Sequence, residues 1–423
     1  MDKKRVVITG LGVVASNASG LSNFENAIKS GVSGIQFHQD LKDLNFSCQI
    51  GGVPHISQEL LDRNFTALEQ RGLLATGLIY GGIAGQEAWR DAGLQMNSEL
   101  DTDTGIIFGT GILGVEKLRE AFHKIDDKQV RRLGSTSVLQ TMASGISAFL
   151  GGKLGCGNQV TSNSSACTTG TEALLMGFER IQYGKAKRML VGSCSDSGPY
   201  VWGGFDALRI LPHQYNNSPE LASQPMSASA KGFVPSSGAG ALLLESLDSA
   251  IERDAHIYAE VLGGSVNSGG QREGGSMTAP NSKAVQSCIS NAITDANIDS
   301  AEIDLINGHL TATSMDATEI KNWSVALNRS GADFPLINSL KGHIGHALAA
   351  AGSIELVSSV LELDREFVFP NLNCKDIHAD ILNHTDEDNI PRQLIKKNIN
   401  IMAKASFGFG DVNACVILKK YCK

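Results

Sequence analysis

Short apolar runs alternate along the chain with longer stretches in which apolar positions recur every three or four residues. The runs at 5–9, 105–109, 160–162, 188–192, 240–244 and 258–263 read as strands. Those at 304–307, 336–338, 399–403 and 414–419 read the same way. Helical spacing falls between several of them, at 66–92, 172–183, 282–296, 316–327 and 347–361. Such alternation predicts largely buried sheets covered by helices, an α/β fold. The stretch from Thr171 to Met176 is apolar apart from Glu172 and its opening Thr, which predicts the start of a buried, central helix. A charged link at 249–254 separates two apolar runs and places a boundary near 250–258, dividing residues 1–255 from 256–423.

With 423 residues, 42% of them hydrophobic, the chain can build a large core in two domains or two fused halves. Forty-six glycines against ten prolines suit a tightly turned α/β chain. A net charge of −8 argues against a general nucleic-acid surface while leaving room for a local basic patch. The eight cysteines are scattered and form no CxxC pair, which together with no signal-peptide pattern reads as reduced thiols in a cytoplasmic protein. No apolar stretch reaches the roughly 20 residues a membrane-spanning helix needs, so membrane insertion is not expected.

The candidate chemistry begins at Ser164-Ser165-Ala166-Cys167-Thr168-Thr169-Gly170-Thr171, between a β-prone run and a helical pattern. A cysteine at a strand-to-helix turn lies where helix N–H groups lower a thiol's pKa, and small neighbours let a substrate approach. An isolated cysteine usually just packs. Two histidines weigh against that here. His309 follows the strand-like run ending at Asn307, and His346 closes Asn338-Ser339-Leu340-Lys341-Gly342-His343-Ile344-Gly345-His346, which follows another. One thiol with two imidazoles, each at the edge of an element, fits covalent catalysis with imidazole help. His309, His343 and His346 also have the chemistry of zinc ligands, but Lys341 stands among them and no fourth ligand is evident. No metal is expected. The loop Thr110-Gly111-Ile112-Leu113-Gly114 is glycine-bearing, yet no Lys follows at P-loop spacing.

Five motifs in order resemble the elongating β-ketoacyl-(acyl carrier protein) synthases of the thiolase-like superfamily. They are Val6-Val7-Ile8-Thr9-Gly10-Leu11-Gly12, Gly109-Thr110-Gly111-Ile112, Ala166-Cys167-Thr168-Thr169-Gly170, the segment from Asn338 through His346 to Gly352, and Ser406-Phe407-Gly408-Phe409-Gly410. The resemblance implies five layers, α-β-α-β-α, from two similar halves, although no sequence repeat reveals a duplication. It makes Cys167 the acyl-accepting nucleophile and has His309 and His346 drive decarboxylation of a carrier-bound malonyl group, with their N–H groups on the enolate oxygen. Lys341 becomes a buried partner of Glu355 beside the imidazoles. Phe407 becomes a gate whose N–H joins that of Cys167 around an oxyanion; from the residues alone it reads as core packing. Thr311 and Thr313 would hold the carrier's pantetheine arm, or simply cap the next helix. Ile112, Phe205 and Leu310 would line the acyl pocket, with Leu310 narrowing it.

No cofactor is implied. The partner implied is an acidic acyl carrier protein, docked on Lys128, Arg131, Arg132 and Arg209. Members of the family form two-fold dimers, so a homodimer is expected, or a heterodimer with a paralogous subunit. Several positions depart from the family pattern: Leu310 and Ala312 replace the usual Gly and Ser after the histidine, and Asp411 stands where a second Gly follows the gate. These leave a specialised polyketide or polyene synthase as open as a fatty-acid enzyme. Two further alternatives are a chain-length partner subunit, which would normally lack the cysteine, and a thiolase using Cys374 or Cys415 as a base. His343 matches no family motif position.

Overall fold

The computed structural model describes residues 3–96 and 99–422. Its 11-stranded sheet resolves into two sets of five strands with the same internal order, plus a short appended strand, Ala18–Ser19. The first set holds β1 (Val6–Ala15), β2 (Thr104–Thr110), β3 (Val160–Thr161), β4 (Arg188–Ser195) and β5 (Gly238–Ser246), ordered β3-β2-β4-β5-β1. The second holds β6 (Ala259–Ser268), β7 (Leu305–Asn307), β8 (Leu336–Asn338), β9 (Ile401–Gly408) and β10 (Val412–Lys420), ordered β8-β7-β9-β10-β6. In each set the first three strands of that order run parallel and the remaining pairings are antiparallel. The two sets join where Val6 of β1 pairs with Val261 of β6. Strand connectivity thus displays the duplication that the sequence conceals.

Six helices complete the layers: α1 (Thr76–Asp91), α2 (Gly145–Leu154), α3 (Thr169–Gln182), α4 (Ser282–Asp295), α5 (Asp316–Leu327) and α6 (Ala351–Arg365). Helices α3 and α6 lie between the two sets, α3 against β2, β4 and β10 and α6 against β5 and β9. Helix α1 covers the outer face of the first set, and α4 covers that of the second with α5 packed against it. The result is the α-β-α-β-α layering of the thiolase-like fold. All thirteen residues from Ala351 to Leu363 are buried, as a helix sandwiched between sheets must be. Helices α3 and α6 cross closely because Gly170 and Gly352 face the contact. A Cβ on Gly170 would lie 2.3 Å from the Ser353 nitrogen, and one on Gly352 would lie 2.7 Å from Thr171 Oγ1.

Two helices start later than the sequence spacing predicts. The helix expected over 66–92 begins only at Thr76. Thr66 and Glu69 first close a reciprocal turn, Gly72 takes a φ of 67°, and Asp196 accepts the N–H of Gly77 at the true start. The helix expected from 347 opens as a tight turn, Leu348–Ala350, with Leu348 at a φ of 53°. No helix among the described residues is long and apolar enough to cross a membrane.

Candidate active site

Each candidate group sits just past, or at, the carboxyl end of a strand, where α/β folds place their sites. Cys167 follows β3, His309 follows β7, Lys341 and His346 follow β8, and Phe407 is near the end of β9. Cys167, His309, His346 and Phe407 converge on a cavity of about 510 Å³ whose wall also includes Thr311 and Thr313.

Cys167 lies in a one-turn helix, Ala166–Thr168, that leads directly into α3. Ala166 is held at a φ of 50°, and hydroxyls of Thr168 and Thr169 donate back to the Ser165 and Ala166 carbonyls. This turn presents the thiol to the cavity. Its sulfur and one ring nitrogen each of His309 and His346 all lie within 4.8 Å of one another. The expected lowering of the thiol pKa is not found. Burial pushes it up to about 11, opposed by the Phe409 N–H and by the charge of Lys341. The oxyanion expectation also changes. The donor beside the sulfur, with Cys167's own N–H, is Phe409 rather than Phe407. Phe407 is committed to the β9–β10 ladder opposite Asn413, whereas Phe409 lies one residue beyond the strand.

The two imidazole rings stand 5.3 Å apart at 83°. His346 Nδ1 accepts the Leu348 N–H at 3.1 Å, so the neutral ring carries its proton on Nε2. His309 Nδ1 faces Lys341 Nζ at 3.5 Å; an ammonium only donates, so this ring too is Nε2–H. Both pKa values fall well below 6.5, chiefly through burial and then through the positive charge of Lys341, with Lys404 contributing to each. The cavity therefore faces two neutral N–H donors. The His309 loop is fixed from behind by α5: Glu319 accepts the N–H groups of His309 (2.6 Å) and Leu310 (2.8 Å). Asp316 accepts those of Thr311 and Ala312. Burial pushes Asp316 up to about 6 and Glu319 to about 7.

Lys341 pairs with Glu355 Oε1, both side chains being 1% exposed. Sequence reasoning missed the third member of this cluster. Lys404, fully buried on β9, reaches Glu355 Oε2 at 2.7 Å. Its signal was available: a lone charge inside the run Met402-Ala403-Lys404-Ala405-Ser406.

Family models match the chain on both sides of its midpoint: the N-terminal domain of beta-ketoacyl synthase over residues 3–250 and the C-terminal domain over 258–375. The chain belongs to the beta-ketoacyl synthase family. It is 30% identical over 99% of both chains to 3-oxoacyl-[acyl-carrier-protein] synthase 1 of Haemophilus influenzae and to that of Escherichia coli. It is equally similar, at 30%, to synthase 2 of Vibrio harveyi. A type II polyketide ketosynthase solved with its acyl-carrier protein superposes with a TM-score of 0.88 at 29% identity, covering 99% of this chain and 100% of that one. A beta-ketoacyl synthase from Burkholderia phymatum gives 0.88 at 26% identity with the same coverage. Family and site together make this a condensing enzyme.

Around the synthase cavity, Thr311 and Thr313 share a hydroxyl contact of 3.0 Å on the wall. Ile112 forms part of the rim and is 53% exposed, while the Phe205 ring packs against Phe233 and Phe409. Leu310 does not line the pocket. Its side chain is wholly buried in the second-half core with Ile306 and Trp323, because the residue after His309 points away from the cavity. His343 is likewise apart from the cavity, its ring edge-on to Phe369. Cys374 and Cys415 are buried in the same core as Leu310. Asp411 accepts the N–H groups of Gln271 and Asn281, fixing the segment that brings Thr278–Pro280 to the cavity. Lys128, Arg131, Arg132 and Arg209 are all exposed. Cys167, His309 and His346 have ligand types and spacing that could hold a zinc ion, although the ammonium of Lys341 opposes a cation there.

Proposed function

We propose that this synthase takes an acyl group from an acyl carrier protein onto Cys167 and extends it with malonyl-carrier. In the first step the Cys167 sulfur attacks the carrier thioester carbonyl. Its proton passes to the departing pantetheine thiol, and the N–H groups of Cys167 and Phe409 hold the transient oxyanion. In the second step the malonyl carboxylate leaves as CO₂, and its bonding pair becomes the enolate of the remaining thioester. His309 and His346, each neutral with Nε2–H toward the cavity, donate to that enolate oxygen. The enolate carbon then attacks the acyl carbonyl, the Cys167 thiolate departs, and a β-ketoacyl-carrier two carbons longer is released. Loss of CO₂ drives the sequence without metal or redox cofactor.

The observation that carries this reading is the convergence of one thiol and two N–H imidazoles within 4.8 Å on a single cavity. Thr311 and Thr313 would receive the pantetheine arm, and Phe407 would gate the acyl pocket beyond Ile112 and Phe205. The carrier would dock on Lys128, Arg131, Arg132 and Arg209. Two copies would associate, as a homodimer or with a paralogous subunit. The functional units would be residues 1–255 and 256–423. Free thiols at all eight cysteines support a cytoplasmic setting. Intact-mass measurement after incubation with a panel of acyl-carriers should show one acyl adduct, absent in Cys167→Ala. An undiminished adduct in that variant would refute the assignment. The Cys167→Gln variant should refuse acyl transfer yet still release CO₂ from malonyl-carrier. A chain-length partner would release little CO₂, and a thiolase would not need malonate.

A further inference from the structure

Lys404 is fully buried on the strand that ends in the gate. Its ammonium forms an ion pair with Glu355 Oε2 at 2.7 Å and donates to the Ala405 carbonyl and to Ser406 Oγ at 3.0 Å. Ser406 Oγ in turn lies 2.9 Å from Thr171 Oγ1, on the helix that follows Cys167. One ammonium thus touches the gate strand and Glu355 directly, and the nucleophile's helix through a single hydroxyl. A buried ammonium persists only with such compensation, so the arrangement is specified.

We propose that Lys404 is a positioning residue for the condensation: it clamps Glu355 between two ammoniums, holding Lys341 against His309 and giving the cluster behind the imidazoles one net positive charge. The claim rests on the condensing-enzyme reading above. Without Lys404 the Lys341–Glu355 pair would be neutral. With it, a positive field backs the site where enolate charge develops, and that field opposes a second proton on either ring. The depressed pKa values of His309 and His346, caused first by burial and then by these lysines, agree. Other titratable groups face the cluster: Glu319 and Asp316 from α5, Cys415 from β10, and Cys167 ahead of α3. Burial keeps the two thiols neutral, whereas Asp316, at about 6, and Glu319, at about 7, gain negative charge toward neutrality, so the positive field is strongest on the acidic limb.

The test compares Lys404→Met, Lys404→Gln and Lys404→Arg with the parent in malonyl-carrier decarboxylation across pH. The neutral variants should keep KM within about twofold and lose on the order of tenfold in kcat. The acidic limb of their pH profile should move up by about one unit, because a charge repelling imidazole protonation is gone. Lys404→Arg should recover most of the rate. Parental rates and profiles in the neutral variants would overturn the proposal, as would a uniform rate loss with the acidic limb unmoved. Should both neutral variants fail to fold, histidine NMR of the parent and Lys404→Arg decides. Ring shifts at 309 and 346 that step as the Lys404 ammonium titrates below 10.5 in the parent, and lose that step with the permanently charged arginine, support the clamp; identical profiles in the two proteins overturn it. A parent that releases no CO₂ would sink the condensing reading instead, and the ring titration would still judge Lys404.

Discussion

Replacing Glu355 with Gln keeps the shape of the side chain but removes the carboxylate that pairs, among the described residues, with the two buried ammoniums of Lys341 and Lys404. Breaking a buried pair in this way costs about 3–5 kcal/mol, because a charge is left uncompensated rather than because a contact is lost. With an unfolding entropy near 2.1 cal/mol/K per residue over 423 residues, that corresponds to a fall in midpoint of roughly 3–6 °C. The pH dependence identifies the cause. Burial already holds Lys404 below its ordinary 10.5, and Glu355 is the principal charge raising it again. In Glu355→Gln its folded-state pKa drops further, so the unfolded chain binds more protons between that value and 10.5, and stability rises with pH there. The penalty should therefore be largest near neutrality and fade toward about pH 10. Thermal melts of parent and variant at pH 7, 8.5 and 10 read this directly. A gap smaller than about 1 °C at pH 7 would show that the cluster carries no such charge, and so would a gap that does not narrow by pH 10.

Three further outcomes are expected. His343, held down to about 3 by burial, takes no proton as pH falls through 6.5, while the unfolded chain does; each unit of acidification in that window removes up to about 1.4 kcal/mol of stability. Urea midpoints between pH 7 and 4.5 should fall less steeply in His343→Leu, and equal slopes would contradict a neutral core histidine. Leu310→Ala should cost about 2–5 kcal/mol of stability while leaving acyl-chain preference unchanged, since its side chain packs in the core; a shift in preferred chain length by competition assay would show otherwise. Reversing Arg131 and Arg132 to Glu should raise KM for carrier-bound substrate alone, and an equal loss on small thioesters would remove these residues from the docking surface.

The cysteine and both histidines were legible because each is a chemically rare residue placed next to a strand-like run, and local pattern suffices to put such residues at strand ends. Layering was legible for the same reason. What escaped depended on direction and distance in space. Leu310 neighbours His309 in sequence, yet the backbone turns its side chain into the core. Phe409 rather than Phe407 supplies the N–H because β9 ends between them, a boundary set by pairing with β10. Lys404 lay in plain view as a charge within a small-residue run, but its partner is forty-nine positions away on α6 and only the fold brings them together. The upward shift of the Cys167 thiol follows from burial of its sulfur among groups brought in from other elements, a property of packing that no motif encodes.

The repeated strand order gives Cys167 and His346 corresponding addresses: each occupies the turn after the third strand of its set, ahead of the central helix. Nucleophile and proton donor are thus contributed by opposite members of an internal pair, and neither member holds a complete reaction centre. Chemistry in this protein is a property of the seam. A change that slides one central helix along the other would separate the reacting groups while leaving each member well formed.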